Sequence, residues 1–152
     1  MKRKLILIWL LCVAAAWCAQ AAPPPSFKHL KDYMVRNHCE PFAEDALRLL
    51  HKRGVPARRI LYRWSSGGYT DLHAAVLFQW EGRTYFMDNA RMKPRHVVGK
   101  TDLGCVNRIT DDFYTHCWMV DDYGKRTAPR KISDLFAPAP EWMRQLQESQ
   151  RQ

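Results

Sequence analysis

His73-Ala-Ala-Val-Leu-Phe-Gln-Trp80-Glu81-Gly82-Arg83-Thr-Tyr-Phe-Met-Asp88-Asn-Ala90 is the stretch from which the rest of the chain can be read. Residues 72–80 and 83–89 are both β-rich, and the two residues between them, Glu81-Gly82, favour a tight hairpin. Such a turn sets Trp80 opposite Arg83, Leu77 opposite Phe86, Ala75 opposite Asp88 and His73 opposite Ala90. His73 and Asp88 then share a face as diagonal neighbours, with Cβ atoms ~7 Å apart or somewhat less. Burying both beside Ala75 and Leu77 is costly unless each satisfies the other. An aspartate held against one ring nitrogen fixes the tautomer and turns the second nitrogen toward a reacting group. The structural alternative is a satisfied core histidine and an aspartate that caps the turn before Asn89.

Upstream, Phe42, Ala43, Ala46, Leu47 and Leu50 recur at helical spacing over residues 40–52, and Gly54 supplies the stop. Pro41 is tolerated only in a first turn, which puts Cys39 at or just before the helix N-terminus. The unpaired amides and macrodipole there favour a thiolate, and a nearby imidazolium favours it further. A lone cysteine in this position is otherwise a small buried hydrophobe. Residues 27–37 read as a short helix with Leu30, Tyr33 and Met34 on one side. Residues 60–64 read as a strand, broken by Ser65-Ser66-Gly67-Gly68, so that residues 65–71 form a flexible loop flanking a cleft. A further strand is expected over residues 113–120 and a short terminal helix over 141–147. No internal repeat is present. The pattern is α+β, a nucleophile helix packed on a small antiparallel sheet.

The chain opens with Lys2, Arg3 and Lys4, an apolar Leu- and Ala-rich run, and the small-x-small site Ala19-Gln20-Ala21. That is the plan of a cleaved signal peptide, residues 1–21, ahead of a single domain at 22–152; an uncleaved membrane anchor is the alternative. The expected location is periplasmic or secreted, with no membrane span in the mature form. Losing three cations lowers the net charge from +9 to +6. Basic residues are scattered rather than clustered, so a nucleic-acid footprint is not supported. Cys39, Cys105 and Cys117 remain in the mature chain, an odd number for an oxidising compartment. A Cys105–Cys117 disulfide closing a short loop would leave Cys39 as the thiol without a bridge.

Cys39-Glu-Pro-Phe-Ala43, Leu49-Leu50, Gly54-Val-Pro-Ala-Arg58, His73-Ala74 and Tyr85-Phe-Met-Asp88, in that order, resemble the transglutaminase-like core of the papain-like superfamily, including bacterial transglutaminase-like cysteine peptidases. The resemblance spans about half of the mature chain. It implies Cys39 as nucleophile, His73 as base and acid, and Asp88 as the orienting carboxylate. The Cys39 amide is then the natural oxyanion donor, with Asn37 or Tyr33 as its partner. Ala75 departs from the aromatic that many relatives carry, and His38 replaces the acidic residue of calcium-dependent members, which puts calcium dependence in doubt. The expected activity is peptidase or amidase hydrolysis through a thioester on Cys39, without cofactor, on a protein or peptide substrate, by a monomer. The competing reading is a catalytically inactive binding module of the cell envelope. A metal site at His38-Cys39 and His116-Cys117 is not expected, because adjacent residues seldom hold one ion and no Cys-x-x-Cys or His-Glu-x-x-His spacing occurs.

Overall fold

Phe42, Ala43, Ala46 and Leu50 are the buried residues of helix α1 (Cys39–Lys52), as their spacing requires. The helix begins one residue earlier than expected, with Pro41 in its first turn, so Cys39 is its first residue. It ends in a Schellman cap. The Gly54 amide bonds the His51 carbonyl and the Val55 amide bonds the Leu50 carbonyl, both at 2.9 Å. Gly54 adopts φ 70°, a conformation that costs little without a Cβ. Val55 and Leu50 are buried in the same core cluster, the apolar pairing typical of this cap.

The computed structural model describes residues 23–33, 35, 37–110 and 116–138. The expected leader, Met34, residues 113–115 of the last strand and the terminal helix at 141–147 lie outside the described residues. Five strands, β1 (Ala57–Ser66), β2 (Tyr69–Trp80), β3 (Arg83–Asp88), β4 (Arg91–His96) and β5 (His116–Val120), form one antiparallel sheet in the order β4-β3-β2-β1-β5. The architecture is α+β. A 3-10 helix, Lys28–Tyr33, stands where the first short helix was expected.

The Glu81-Gly82 turn produces the expected register, with Trp80 opposite Arg83 and Leu77 opposite Phe86. Residues 65–71 do not form the expected loop. Gly67 and Gly68 both take positive φ, 57° and 85°, and make a second two-residue turn of the kind that matches strand twist. Ser65 and Ser66 therefore pair with Thr70 and Tyr69 as a continuous ladder.

Strand β4 and helices α2 (Asp102–Thr110) and α3 (Ile132–Leu135) were not anticipated. Strand β4 carries Pro94 and lies at the sheet edge, where a missing ladder donor is tolerated. Helix α2 contains Gly104, Asn107 and Thr110, all weak helix formers, and is held by packing: Cys105, Val106 and Ile109 are buried. One apolar layer joins α1 to Leu61, Ala74, Val76, Phe78 and Met87 of the sheet. The other joins α2 to Ile60, Tyr62, Ala75, Leu77 and Phe86. With cover on both faces, residues 74–78 of β2 are buried without alternation.

The Cys105–Cys117 bridge is not formed, and all three described cysteines are thiols. Cys105 lies in a helix rather than a turn, its sulfur packed close against Gly99. Cys117 instead places its sulfur 3.6 Å from the Thr110 hydroxyl.

The α1 cap yields a stability test. Gly54→Ala should lower unfolding free energy by about 1–2 kcal/mol, the cost of a left-handed residue with a Cβ. Urea denaturation reads it, and an unchanged midpoint would show that the cap relaxes without that backbone angle.

Candidate active site

The amides of the first turn of α1 have no intrahelical acceptors. The preceding residue, His38, makes no side-chain capping bond to them. Cys39, half-buried, thus sits at the positive end of the helix. Glu40 is anchored to Arg59 at 2.6 Å, and Arg59 also pairs with Asp122, which steadies the turn that carries the thiol.

His73 lies on β2, and Asp88 is the last residue of β3. The β2–β3 ladder stops at Val76 opposite Met87, so both side chains stand just past the end of the pairing, on the face that Leu77 and Phe86 share. His73 Nε2 is 3.3 Å from Asp88 Oδ2. The diagonal contact expected from the hairpin register is therefore present. The Tyr62 ring meets the imidazole edge-on, with centroids 5.3 Å apart, and limits its rotation.

Burial pulls the His73 pKa down, yet the bonds to Asp88 and Cys39 outweigh it and push it up to about 9. For Cys39 the bond to His73 is the largest influence and lowers the pKa; burial opposes it, and the Ala74 amide adds to the lowering. Since Nε2 is engaged by Asp88, Nδ1 is the ring nitrogen left for the sulfur. Cys39 and His73 consequently favour a thiolate–imidazolium pair. The pair exists above the depressed thiol pKa and is lost as the imidazolium deprotonates near pH 9. Cys105 shows the opposite behaviour: burial, then the nearby Asp102 charge, push its thiol up to about 11.

Of the other expected residues, Tyr33 donates its hydroxyl to Asp45 Oδ2, and that bond raises its own pKa. Asn37 occupies an exposed turn at φ 68°. The backbone amides of Ala74 and Cys39 add to the lowering of the Cys39 pKa. Sequence reasoning missed three participants. Arg91 Nη1 is 3.1 Å from the same Asp88 oxygen that holds His73, and its Nη2 donates to the Ile109 carbonyl at 3.4 Å. The Asn89 side-chain amide donates to the carbonyls of Tyr33 and Val35, at 3.2 and 3.0 Å, tying the segment before Cys39 to the end of β3. The third is the Ala74 amide. Asp88-x-x-Arg91 across a turn was the available signal for Arg91.

Among the described residues, no group of three or more His, Cys, Asp or Glu side chains could hold a metal ion, and no helix is long and apolar enough to cross a membrane. Set against protein-family models, curated proteins and solved structures, the chain matches none.

The His73 ring should titrate in NMR with a midpoint near 9. Replacement of the carboxylate in Asp88→Asn removes a stabiliser of the imidazolium, so the midpoint should fall. A midpoint near the ordinary 6.5 in the intact protein would contradict the described pairing.

Proposed function

We propose that this chain is a cysteine-dependent acyl-transfer enzyme of transglutaminase-like type, a peptidase or amidase that works through a thioester on Cys39. The observation that carries the reading is His73 Nε2 3.3 Å from Asp88, with the same ring lowering the pKa of a thiol at a helix N-terminus. The order Cys39, His73, Asp88 along the chain, and the Gly54-Val55-Pro56-Ala57-Arg58 segment that leads from α1 into β1, agree with it.

The Cys39 thiolate attacks an amide carbonyl, and the resulting oxyanion is held by the Cys39 backbone amide. The His73 imidazolium gives its proton to the departing amine, leaving an acyl thioester and a neutral imidazole. Neutral His73 then takes a proton from water, which attacks the thioester; the acid leaves and the thiolate–imidazolium pair is restored. Asp88 keeps the ring oriented throughout. In this reading the leader-like segment at 1–21 supports export to the periplasm or beyond, and water is the preferred acceptor because it is abundant there while amines are dilute.

Iodoacetamide tests this directly. Alkylation of Cys39 should be fast near neutral pH and should slow by about tenfold or more in His73→Ala, where the thiol returns toward the few per cent ionisation of an ordinary cysteine. Amide turnover should rise with pH through the depressed thiol pKa and fall through about pH 9 as the imidazolium is lost. Sluggish labelling indifferent to His73→Ala would overturn the enzyme reading in favour of an inactive binding module.

A further inference from the structure

Asp88 and Arg91 are cross-strand partners on either side of the turn at Asn89 and Ala90, where β3 passes into β4. Side chains paired in this way stand on one face of the sheet. The ladder is irregular between Phe86 and Asp88, with β4 running from Arg95 to Arg91 over the stretch that β3 covers from Phe86 to Asp88. Such a bulge re-aims side chains, and here a guanidinium meets the buried carboxylate. Nη1 lies 3.1 Å from Asp88 Oδ2, and Nη2 donates at 3.4 Å to the carbonyl of Ile109 in the last turn of α2. Carbonyls at a helix C-terminus lack intrahelical donors and favour a cation. The fork is thereby held between two acceptors.

His73 Nε2 meets the same Oδ2 at 3.3 Å, so one oxygen serves two cations whenever the imidazole is protonated. Like charges held this close oppose one another, and each draws on the negative charge that would stabilise the other. Asp88 by itself would bind the imidazolium more tightly than it does beside Arg91. A general acid must surrender its proton as well as hold it, and one that is over-stabilised is a poor donor. The groups facing the His73 ring are Cys39 from α1, the Tyr62 ring from β1 and Asp88 from β3, with Arg91 of β4 reaching it through the shared oxygen. Cys39 and Asp88 favour the imidazolium. Arg91, a like charge, works against it.

We infer that Arg91 is a positioning residue of the active site: it shares Asp88 Oδ2 with His73, keeps the carboxylate in place, and leaves the imidazolium able to release its proton to the departing amine. This deepens the acyl-transfer reading and rests on it. Arg91 acts through Asp88 and neither gives nor takes a proton in the cycle.

The test uses the full chain and reads the His73 ring by NMR and Cys39 by iodoacetamide. In Arg91→Gln the imidazolium loses its competitor, so the His73 midpoint should rise above the native value of about 9 by about one unit. The acidic limb of Cys39 labelling should move to lower pH by a similar amount, because a firmer imidazolium holds the thiolate against protonation. Arg91→Lys keeps a cation but loses the fork that spans Asp88 and Ile109, and both shifts should be about half as large. A residue that merely braces the fold would give the opposite sign: its loss would loosen the His73–Asp88 contact, and the midpoint would fall toward 6.5. A fall, or no change, in Arg91→Gln overturns the proposal. If that variant does not fold, Arg91→Lys decides by sign, a rise upholding the proposal and a fall or no change overturning it. Sluggish labelling of the native chain overturns the acyl-transfer reading, and the proposal with it, whatever the Arg91 variants show.

Discussion

Asp88 is 1% exposed, and a carboxylate placed so far from water dictates what may surround it. Removing one partner from a buried ion pair typically costs 3–5 kcal/mol, because the other charge stays behind uncompensated. Two donors converge on one of its oxygens, His73 Nε2 and Arg91 Nη1, while Oδ1 has no hydrogen-bond partner among the described residues. Rotation of the carboxylate would therefore forfeit two interactions at once. The imidazole is fixed by the same demand, with Tyr62 packed against its ring.

Strand β2 connects this charged cluster to the rest of the molecule. Its residues 74–78 are buried between two apolar layers, and side chains there cannot shift without opening a cavity. His73 is the residue next to that rigid run, and Cys39 begins the helix that packs on one side of it. The thiol and the imidazole are thus carried by two regular elements instead of loops, which favours a constant separation. Cys39 and Cys105 show how much the setting matters. Both are first-turn or near-first-turn helix residues, yet one thiol is pulled down by an imidazole and the other is pushed up by burial and a neighbouring carboxylate.

The site was more legible than the fold around it. The two-residue spacing of Glu81-Gly82 determines a register, and a register determines parity, so the His73–Asp88 face followed from counting alone. Pro41 located the helix start for an equally local reason. What escaped notice depended on contacts distant in sequence. Helix α2 has poor intrinsic propensity and exists because Cys105, Val106 and Ile109 fill the second face of the sheet, which no window of sequence reveals. The nearness of Cys105 and Cys117 in the chain suggested a disulfide, and both are free thiols. The serine- and glycine-rich segment was misread because Gly67-Gly68 serves equally as a flexible linker and as a primed turn. Only the pairing of Ser65 with Thr70 separates the two.

Arg91 resolves a difficulty that a two-partner arrangement would leave. In the proposed cycle His73 gives up its proton when the amine departs, and at that moment an imidazole alone would leave Asp88 buried opposite a neutral ring. The Arg91 guanidinium takes no part in that transfer and lies 3.1 Å from the shared oxygen, itself steadied by the Ile109 carbonyl. The carboxylate is accordingly compensated in both protonation states of His73, and its orientation does not depend on the step reached. A permanent cation paired with a switchable one lets the buried charge direct the imidazole without being destabilised each time the proton leaves.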